Sequence, residues 1–127
     1  LGAGALKGPA LLRLGWRAKR SRDYERAAGY WTQAGEEGEP EGWRELAMYH
    51  EHRRRDFVAA LAAVERGMEL VAGGPDIKAR HMTEGFERRR ARLERKRARR
   101  ERLAGSRAQG AERRGQNAEG KRAGRGE

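Results

Sequence analysis

The residues of this chain that could do chemistry are few, and the densest group is His50-Glu51-His52. Two histidines separated by one residue point to different faces of a helix, whereas histidines that share a metal ion on a helix stand four residues apart. The third histidine, His81, has no pattern of carboxylates around it. The spacing therefore predicts no metal site, and it predicts His50 in a packed helix face with His52 near a turn.

Other residue types that support catalysis or cofactor binding are also poorly placed. Four glutamates share one loop and are expected to be exposed, with no pocket for acid–base work: Glu36, Glu37, Glu39 and Glu41. Three early glycines lack the Lys-Ser/Thr that completes a phosphate-binding loop: Gly2, Gly4 and Gly8. Cysteine is absent, and serine occurs only at Ser21 and Ser106. We predict no catalytic residue and no cofactor.

A dense run of arginine is the strongest chemical signal in the sequence. Residues 86–102 contain ten basic and three acidic side chains among seventeen. Closely spaced arginines displace condensed counterions from nucleic-acid phosphates. The candidate nucleic-acid-binding residues are Arg88, Arg89, Arg90, Arg92, Arg95, Lys96, Arg97, Arg99 and Arg100. The run has no aromatic residue after Phe86 to stack on bases, so binding of DNA or RNA would be non-specific and salt-dependent. The alternative is a solvated helix whose glutamates pair with arginine three or four residues away.

Charge is concentrated at the C-terminal end of the chain. Residues 1–85 hold 14 Lys/Arg and 13 Asp/Glu, a net of +1, and residues 86–127 hold 16 and 6, a net of +10. Residues 104–127 are rich in Gly, Arg, Ala and Glu and carry no large apolar residue. Such a composition cannot bury enough surface to offset the entropy of ordering, so we predict a disordered basic tail.

An internal repeat of 33 residues organises the first part of the chain. Asp23-Tyr24-Glu25-Arg26-Ala27-Ala28 matches Asp56-Phe57-Val58-Ala59-Ala60-Leu61 at that offset, and Leu14-Gly15 matches Leu46-Ala47 at 32. This is the tetratricopeptide pattern, in which each repeat is a pair of antiparallel helices. We predict two such pairs over residues 11–71, separated at 35–42 by a Gly- and Pro-containing loop and a fresh helix start. The turn at Arg22 precedes Asp23 as an N-cap.

Each predicted helix has one apolar face. For the first pair the faces are Leu11, Leu14, Gly15 and Ala18, then Tyr24, Ala27, Ala28, Trp31 and Ala34. For the second pair they are Trp43, Leu46, Ala47 and Tyr49-His50, then Phe57, Ala60, Leu61, Val64 and Met68.

A capping helix is needed because two repeats alone leave an apolar face open, and about three are usually required for stability. Met82, Phe86 and Leu93, with His81 beside them, provide that face after the turn at Gly73-Gly74-Pro75, with Asp76 in the first turn of the helix. The predicted fold is all-α: a flexible segment (1–9), two tetratricopeptide-like helix pairs (10–75), a basic capping helix (76–103) and a disordered tail (104–127).

One stretch is more specific than a generic repeat. Residues 43–65, which contain Tyr49-His50-Glu51-His52-Arg53-Arg54-Arg55-Asp56-Phe57, resemble the C-terminal region of bacterial proteins with a ribonuclease-H-like exonuclease domain. Residues 87–96 look like the basic helix that ends those proteins, and the resemblance covers about residues 10–97. It implies an accessory helical segment beside a nuclease domain that holds divalent metal ions with clustered acids. None of that domain is in this sequence, so no catalytic residue is carried over.

The functional prediction combines these observations. We expect a non-catalytic helical repeat module that docks against a protein partner or an upstream nuclease domain, and the first residue, Leu1, suggests a fragment of a longer protein. The alternative is direct, non-specific nucleic-acid binding through the arginine-rich helix. No apolar run is long enough to span a bilayer, and the N-terminal residues make a poor signal peptide, so a cytoplasmic protein without a membrane partner is expected.

Overall fold

The computed structural model describes the backbone of residues 3–125 and the side chains of residues 7–115. It contains α1 (Ala3–Arg20), α2 (Tyr24–Glu36), α3 (Pro40–Tyr49), a π-helical turn (His50–Arg54), α4 (Phe57–Val71) and α5 (Ile77–Arg125). No strand occurs in the described part of the chain, so the all-α prediction is confirmed. α1 packs on α2, α2 on α3 and α3 on α4, giving two consecutive helix pairs.

The 33-residue repeat is visible in the backbone of the two turns within the pairs. Arg22 and Arg55 both adopt left-handed conformations, with φ of 61° and 51°. Each is followed by an aspartate N-cap: Asp23 accepts from the Arg26 N–H at 3.2 Å, and Asp56 accepts from the Ala59 N–H at 3.0 Å. The left-handed residue turns the chain sharply, and the carboxylate satisfies an amide that the helix start leaves unpaired. The predicted turn at Arg22-Asp23 is confirmed.

The predicted loop and helix start at residues 35–42 are confirmed in part, because a new helix begins there but the loop is shorter than predicted. α2 continues through Glu36 and α3 begins at Pro40, which leaves only residues 37–39 between them. Gly35 and Gly42 lie inside these helices, where a Cβ at Gly35 would overlap the Trp43 ring and one at Gly42 would lie 2.5 Å from the Trp31 carbonyl oxygen. The glycines therefore allow two helices to approach closely rather than forming a flexible connection.

The core follows the predicted faces with one exchange on α1. Leu11, Gly15 and Ala18 are buried as predicted, but Leu14 is 37% exposed and Leu12 is 7% exposed in its place. α1 is the first helix of the stack and packs mainly on α2. Leu14, at the edge of the apolar face of α1, therefore stays in contact with solvent.

α5 closes the apolar face that the repeats leave open. Phe86 and Leu93 are buried, Met82 packs partly buried against the core, and the Phe86 ring fills the space above Gly67 of α4. Asp76 precedes the helix and accepts from the Ala79 N–H at 2.8 Å. It therefore caps the helix from just outside, whereas the sequence analysis expected it in the first turn. His81, predicted beside the apolar residues, is exposed.

The chain forms two compact units, residues 1–94 and residues 95–127. In the second unit α5 continues, and the side chains of residues 104–115 are exposed apart from Gly110. The sequence analysis predicts disorder there, and residues 116–127 of that prediction lie outside the described side chains. A helix that buries no apolar face is marginal in water. The exposure of residues 104–115 agrees with the predicted lack of a packed core, whereas the helical backbone differs from the prediction.

Within the described residues, no helix combines the length and the apolar character that a membrane crossing requires.

Candidate functional site

An ion cluster surrounds Glu51, whose side chain is completely buried. Arg92 donates from Nε to Oε2 at 2.9 Å and from Nη2 to Oε1 at 2.7 Å, and Arg89 donates from Nη1 to Oε1 at 3.0 Å. The Arg92 contact is bidentate, the strongest geometry that guanidinium and carboxylate can adopt. His52 adds its Nε2 at 3.5 Å from Oε1. We call Glu51, Arg89 and Arg92 the Glu51 clamp.

The π-helical turn places Glu51 in this position. After α3 ends at Tyr49 the backbone widens, and the Asp56 N–H donates to the His50 carbonyl at 2.8 Å. A π turn accommodates one extra residue and changes the direction of the side chains within it. Glu51 lies in the turn between the two helices of the second pair and contacts Arg89 and Arg92 of α5, so the clamp fastens the capping helix to the repeats.

The pKa values of the two clamp arginines shift in opposite directions. Burial lowers the pKa of Arg89, and the nearby charge of Arg92 lowers it further, while Glu51 opposes both effects. The hydrogen bonds to Glu51 raise the pKa of Arg92. Both guanidiniums remain protonated because arginine does not lose its proton in proteins near neutral pH.

The nine predicted nucleic-acid-binding residues are therefore not equivalent. Arg89 and Arg92 serve the clamp, with side chains 18% and 41% exposed, and Arg90 lies 3.5 Å from Glu65. Arg88 is exposed. This division could not be predicted from the sequence, because the partner glutamate lies 38 and 41 residues earlier in the chain.

The remaining candidates lie in the second unit. Arg95, Arg97, Arg99 and Arg100 are exposed and Lys96 is half-buried. Arg97 lies 3.8 Å from Glu101, the predicted type of i,i+4 pair. Among the described residues, Arg95 and Arg99 have no ion-pair partner, and neither has Arg102, which the sequence analysis did not include. These three stand at i, i+4 and i+7, so they share one helix face, which we call the arginine stripe.

A groove of about 390 Å³ opens on the first unit between α3 and α5. Met82, Gly85 and Phe86 form its apolar floor, and its rim is charged: Glu41, Arg44, Lys78, His81 and Arg89. Lys78 Nζ lies 3.3 Å from Glu41 Oε1 across the rim. We call this cavity the α3–α5 groove. The sequence analysis identified Met82 and Phe86 only as core residues and did not predict an opening beside them.

A smaller cavity of about 180 Å³ lies on the α2–α3 side of the first unit. Arg53 donates from Nη2 to the Tyr24 hydroxyl at 2.7 Å, and its guanidinium carbon lies 3.8 Å from the centre of the Tyr24 ring. This contact joins the π-helical turn to the first repeat. Trp31 Nε1 and His50 Nδ1 are buried and have no hydrogen-bond partner among the described residues.

The histidines do not form a common site. His50 is half-buried, while His52 and His81 are exposed. Over the part of the chain that the structure describes, no three His, Cys, Asp or Glu side chains come close enough together to hold a metal ion.

Comparisons with protein-family models, with curated proteins and with solved structures found no match. The tetratricopeptide character of the helix pairs and the resemblance of residues 10–97 to nuclease-associated proteins therefore stay predictions.

Proposed function

We propose that this chain is a non-catalytic helical repeat module that docks a protein partner, and that the partner is a ribonuclease-H-like exonuclease domain in the cytoplasm. The observation that carries the docking role is the α3–α5 groove, an open concavity with an apolar floor and a charged rim. The nuclease partner is taken from the resemblance of residues 10–97. The absence of cysteine fits a reducing compartment.

The groove has the properties of a recognition surface. Binding sites combine a mostly apolar concavity with a few polar groups that orient the ligand. Here one wall is α3, held close to α2 by Gly42, and the other is α5, held by Phe86 and the Glu51 clamp. Rigid walls reduce the ordering entropy that binding would otherwise cost.

Glycine substitutions test the docking role with a matched control. A Cβ at Gly85 would meet nothing within 4 Å, and the same is true of Gly29, which lies on α2 outside the groove. Gly85→Trp should fill the groove without displacing the core, whereas Gly29→Trp adds the same side chain elsewhere. The readout is quantitative capture of proteins from a lysate of the source cells by the immobilised full chain.

The expected result is a protein with a ribonuclease-H-like nuclease domain that binds the wild-type chain and Gly29→Trp and is lost with Gly85→Trp. Identical capture by all three chains would contradict docking in the groove. Capture that depends on Gly85 but contains no such domain would contradict the nuclease assignment alone.

A second candidate function is direct nucleic-acid binding, and the arginine stripe favours it. Arg95, Arg99 and Arg102 are exposed on one helix face without an ion-pair partner among the described residues. Arginines in a row can each replace a condensed counterion on a phosphate backbone. The clamp arginines are poor choices for testing this function, because their substitution would also loosen the fold.

Filter binding of duplex DNA and of RNA over a range of salt concentrations tests the stripe. Three substitutions to glutamine at Arg95, Arg99 and Arg102 should weaken binding and reduce the slope of log affinity against log salt by about three on duplex DNA. The control is Arg13→Gln, Arg17→Gln and Arg20→Gln, because these arginines stand exposed at the same spacing on α1. No binding at low salt, or equal loss in both triple variants, would contradict this function.

A further inference from the structure

We propose that the α3–α5 groove recognises an acidic segment of the partner protein, with one large apolar side chain on the floor and a neighbouring carboxylate on the rim. This inference rests on the proposed docking function, and it names the chemistry of the partner. It places the acidic group against Arg44 and Lys78 and the apolar group against Met82 and Gly85.

The floor is suited to one apolar side chain. Met82 is only partly buried and Phe86 exposes almost none of its surface, so solvent reaches the floor mainly beside Met82 and Gly85. Gly85 has no side chain there, and the space that a Cβ would enter is empty. Methionine adapts its shape to different apolar groups. A volume near 390 Å³ lies at the small end of ligand pockets, which suits a side chain with its flanking backbone.

The rim selects negative charge. Arg44, Lys78 and Arg89 contribute three positive charges to the lining and Glu41 contributes one negative charge, so these four groups are net +2. Lys78 already pairs with Glu41, and Arg89 pairs with Glu51. Arg44 is therefore the rim cation that is least neutralised by a neighbouring carboxylate. Arg44 is 43% exposed, and its ion pair with Glu45 is long at 3.9 Å. An entering carboxylate would gain these cations, whereas an entering ammonium would meet them as like charges.

Small molecules of one shape and different charge test this chemistry. The probes are phenylbutyrate, phenylbutyramide and phenylbutylamine, titrated into the ¹⁵N-labelled full chain and followed by amide chemical shifts. We expect the shifts to centre on Met82, Gly85 and Arg44. Because the contribution of an exposed ion pair is small, phenylbutyrate should bind about fivefold more tightly than phenylbutylamine, with the amide between them.

Substitutions in the α3–α5 groove test whether the chemical shifts and the charge preference arise there. Gly85→Trp should abolish the shifts, and Gly29→Trp should leave them in place. Arg44→Gln combined with Lys78→Gln should reduce the ratio of carboxylate to amine affinity to about one while the neutral amide still binds. Raising the salt concentration should reduce the same ratio, because the rim is exposed.

Three outcomes would overturn the inference: no shifts in the groove, equal affinity for the carboxylate and the amine, or displacement of phenylbutyrate by an oligonucleotide. The last would assign the rim to phosphate rather than to an acidic protein segment. If the nuclease partner is lost with Gly85→Trp but the carboxylate and the amine bind alike, docking survives and only the acidic partner is excluded.

Discussion

At the scale of single residues, the burial of Glu51 carries a desolvation cost that its partners must offset. A carboxylate with no exposed surface forfeits its hydration, and the cost is offset only if cations and hydrogen bonds replace the water. The two arginines keep part of their surface exposed, so the clamp is asymmetric: the acid depends on the bases more than the bases depend on the acid.

This asymmetry predicts an order of stabilities. Arg89→Gln combined with Arg92→Gln removes both guanidiniums from a buried carboxylate and should lower the free energy of unfolding by about 3–5 kcal/mol. Glu51→Gln keeps the shape of the acid and leaves two partly hydrated arginines, so it should cost about 1–3 kcal/mol. Urea denaturation of the full-length variants measures both. A larger loss in Glu51→Gln than in the double variant would refute the asymmetry.

We expect His50 to make the stability of the fold depend on pH. Burial lowers its pKa, and Arg54 adds to this effect while Asp56 opposes it. As the pH falls through the usual imidazole range, the unfolded chain binds a proton at position 50 before the folded chain does. The free energy of unfolding should therefore decrease from neutral to mildly acidic pH, and the contribution of His50 is complete only above that range.

Thermal unfolding between neutral and mildly acidic pH checks this dependence. His50→Gln should flatten the decrease in that window. His81→Gln removes an exposed histidine and retains His50, so its decrease should persist. A slope unchanged in His50→Gln would assign the pH dependence to other groups.

At the scale of elements, the contact between α2 and α3 depends on missing side chains. A Cβ at Gly42 would lie 2.5 Å from the Trp31 carbonyl oxygen and 2.6 Å from the Gly35 nitrogen. Both of these neighbouring atoms belong to the backbone. Backbone cannot swing aside as a flexible side chain can, so any Cβ would push the helices apart.

Alanine substitutions at Gly42 and Gly29 should therefore have opposite effects. Gly42→Ala should destabilise the fold by about 1–3 kcal/mol through overpacking. Gly29 lies in α2 with open space around it, so Gly29→Ala should stabilise by about 0.5–1 kcal/mol through helix propensity. Denaturant midpoints compare the two variants. Stabilisation by Gly42→Ala would show that α2 and α3 can accommodate a Cβ without overpacking.

At the scale of the whole molecule, α5 serves as the lid of the repeats. The last apolar residue of that lid, Leu93, is completely buried, whereas Leu103 on the same helix is 48% exposed. The two leucines offer the same substitution in opposite environments.

Leu93→Ala should lower the free energy of unfolding by about 2–5 kcal/mol, because it removes a buried side chain and leaves a cavity. Leu103→Ala should change it by less than about 0.5 kcal/mol, because that residue lies outside the core. Loss of tertiary near-ultraviolet signal on heating measures both. Equal effects would mean that residues beyond Leu93 also stabilise the first unit.

Much of the fold could be predicted because its signals are local. The aspartate caps, the 3.6-residue apolar stripes and the concentration of charge are all read within a few residues, and the repeat offset of 33 appears as matching turns at Arg22 and Arg55. The candidate site could be predicted only in part. The spacing of Met82 and Phe86 predicts that both face the core. It does not predict the opening beside them at Gly85, because the periodicity of apolar residues carries no information about empty volume.

The sequence by itself determined that this chain is helical, where its helix pairs lie and that its basic charge belongs to the last third. Those properties follow from backbone propensity and side-chain spacing along one helix. Only the tertiary structure decided that Leu12 replaces Leu14 in the core, and that Arg89 and Arg92 bind Glu51 while Arg95, Arg99 and Arg102 stay exposed. The physical reason is that arginines with identical side chains acquire different roles according to the element that they face. The packing of the helices against one another determines which element that is.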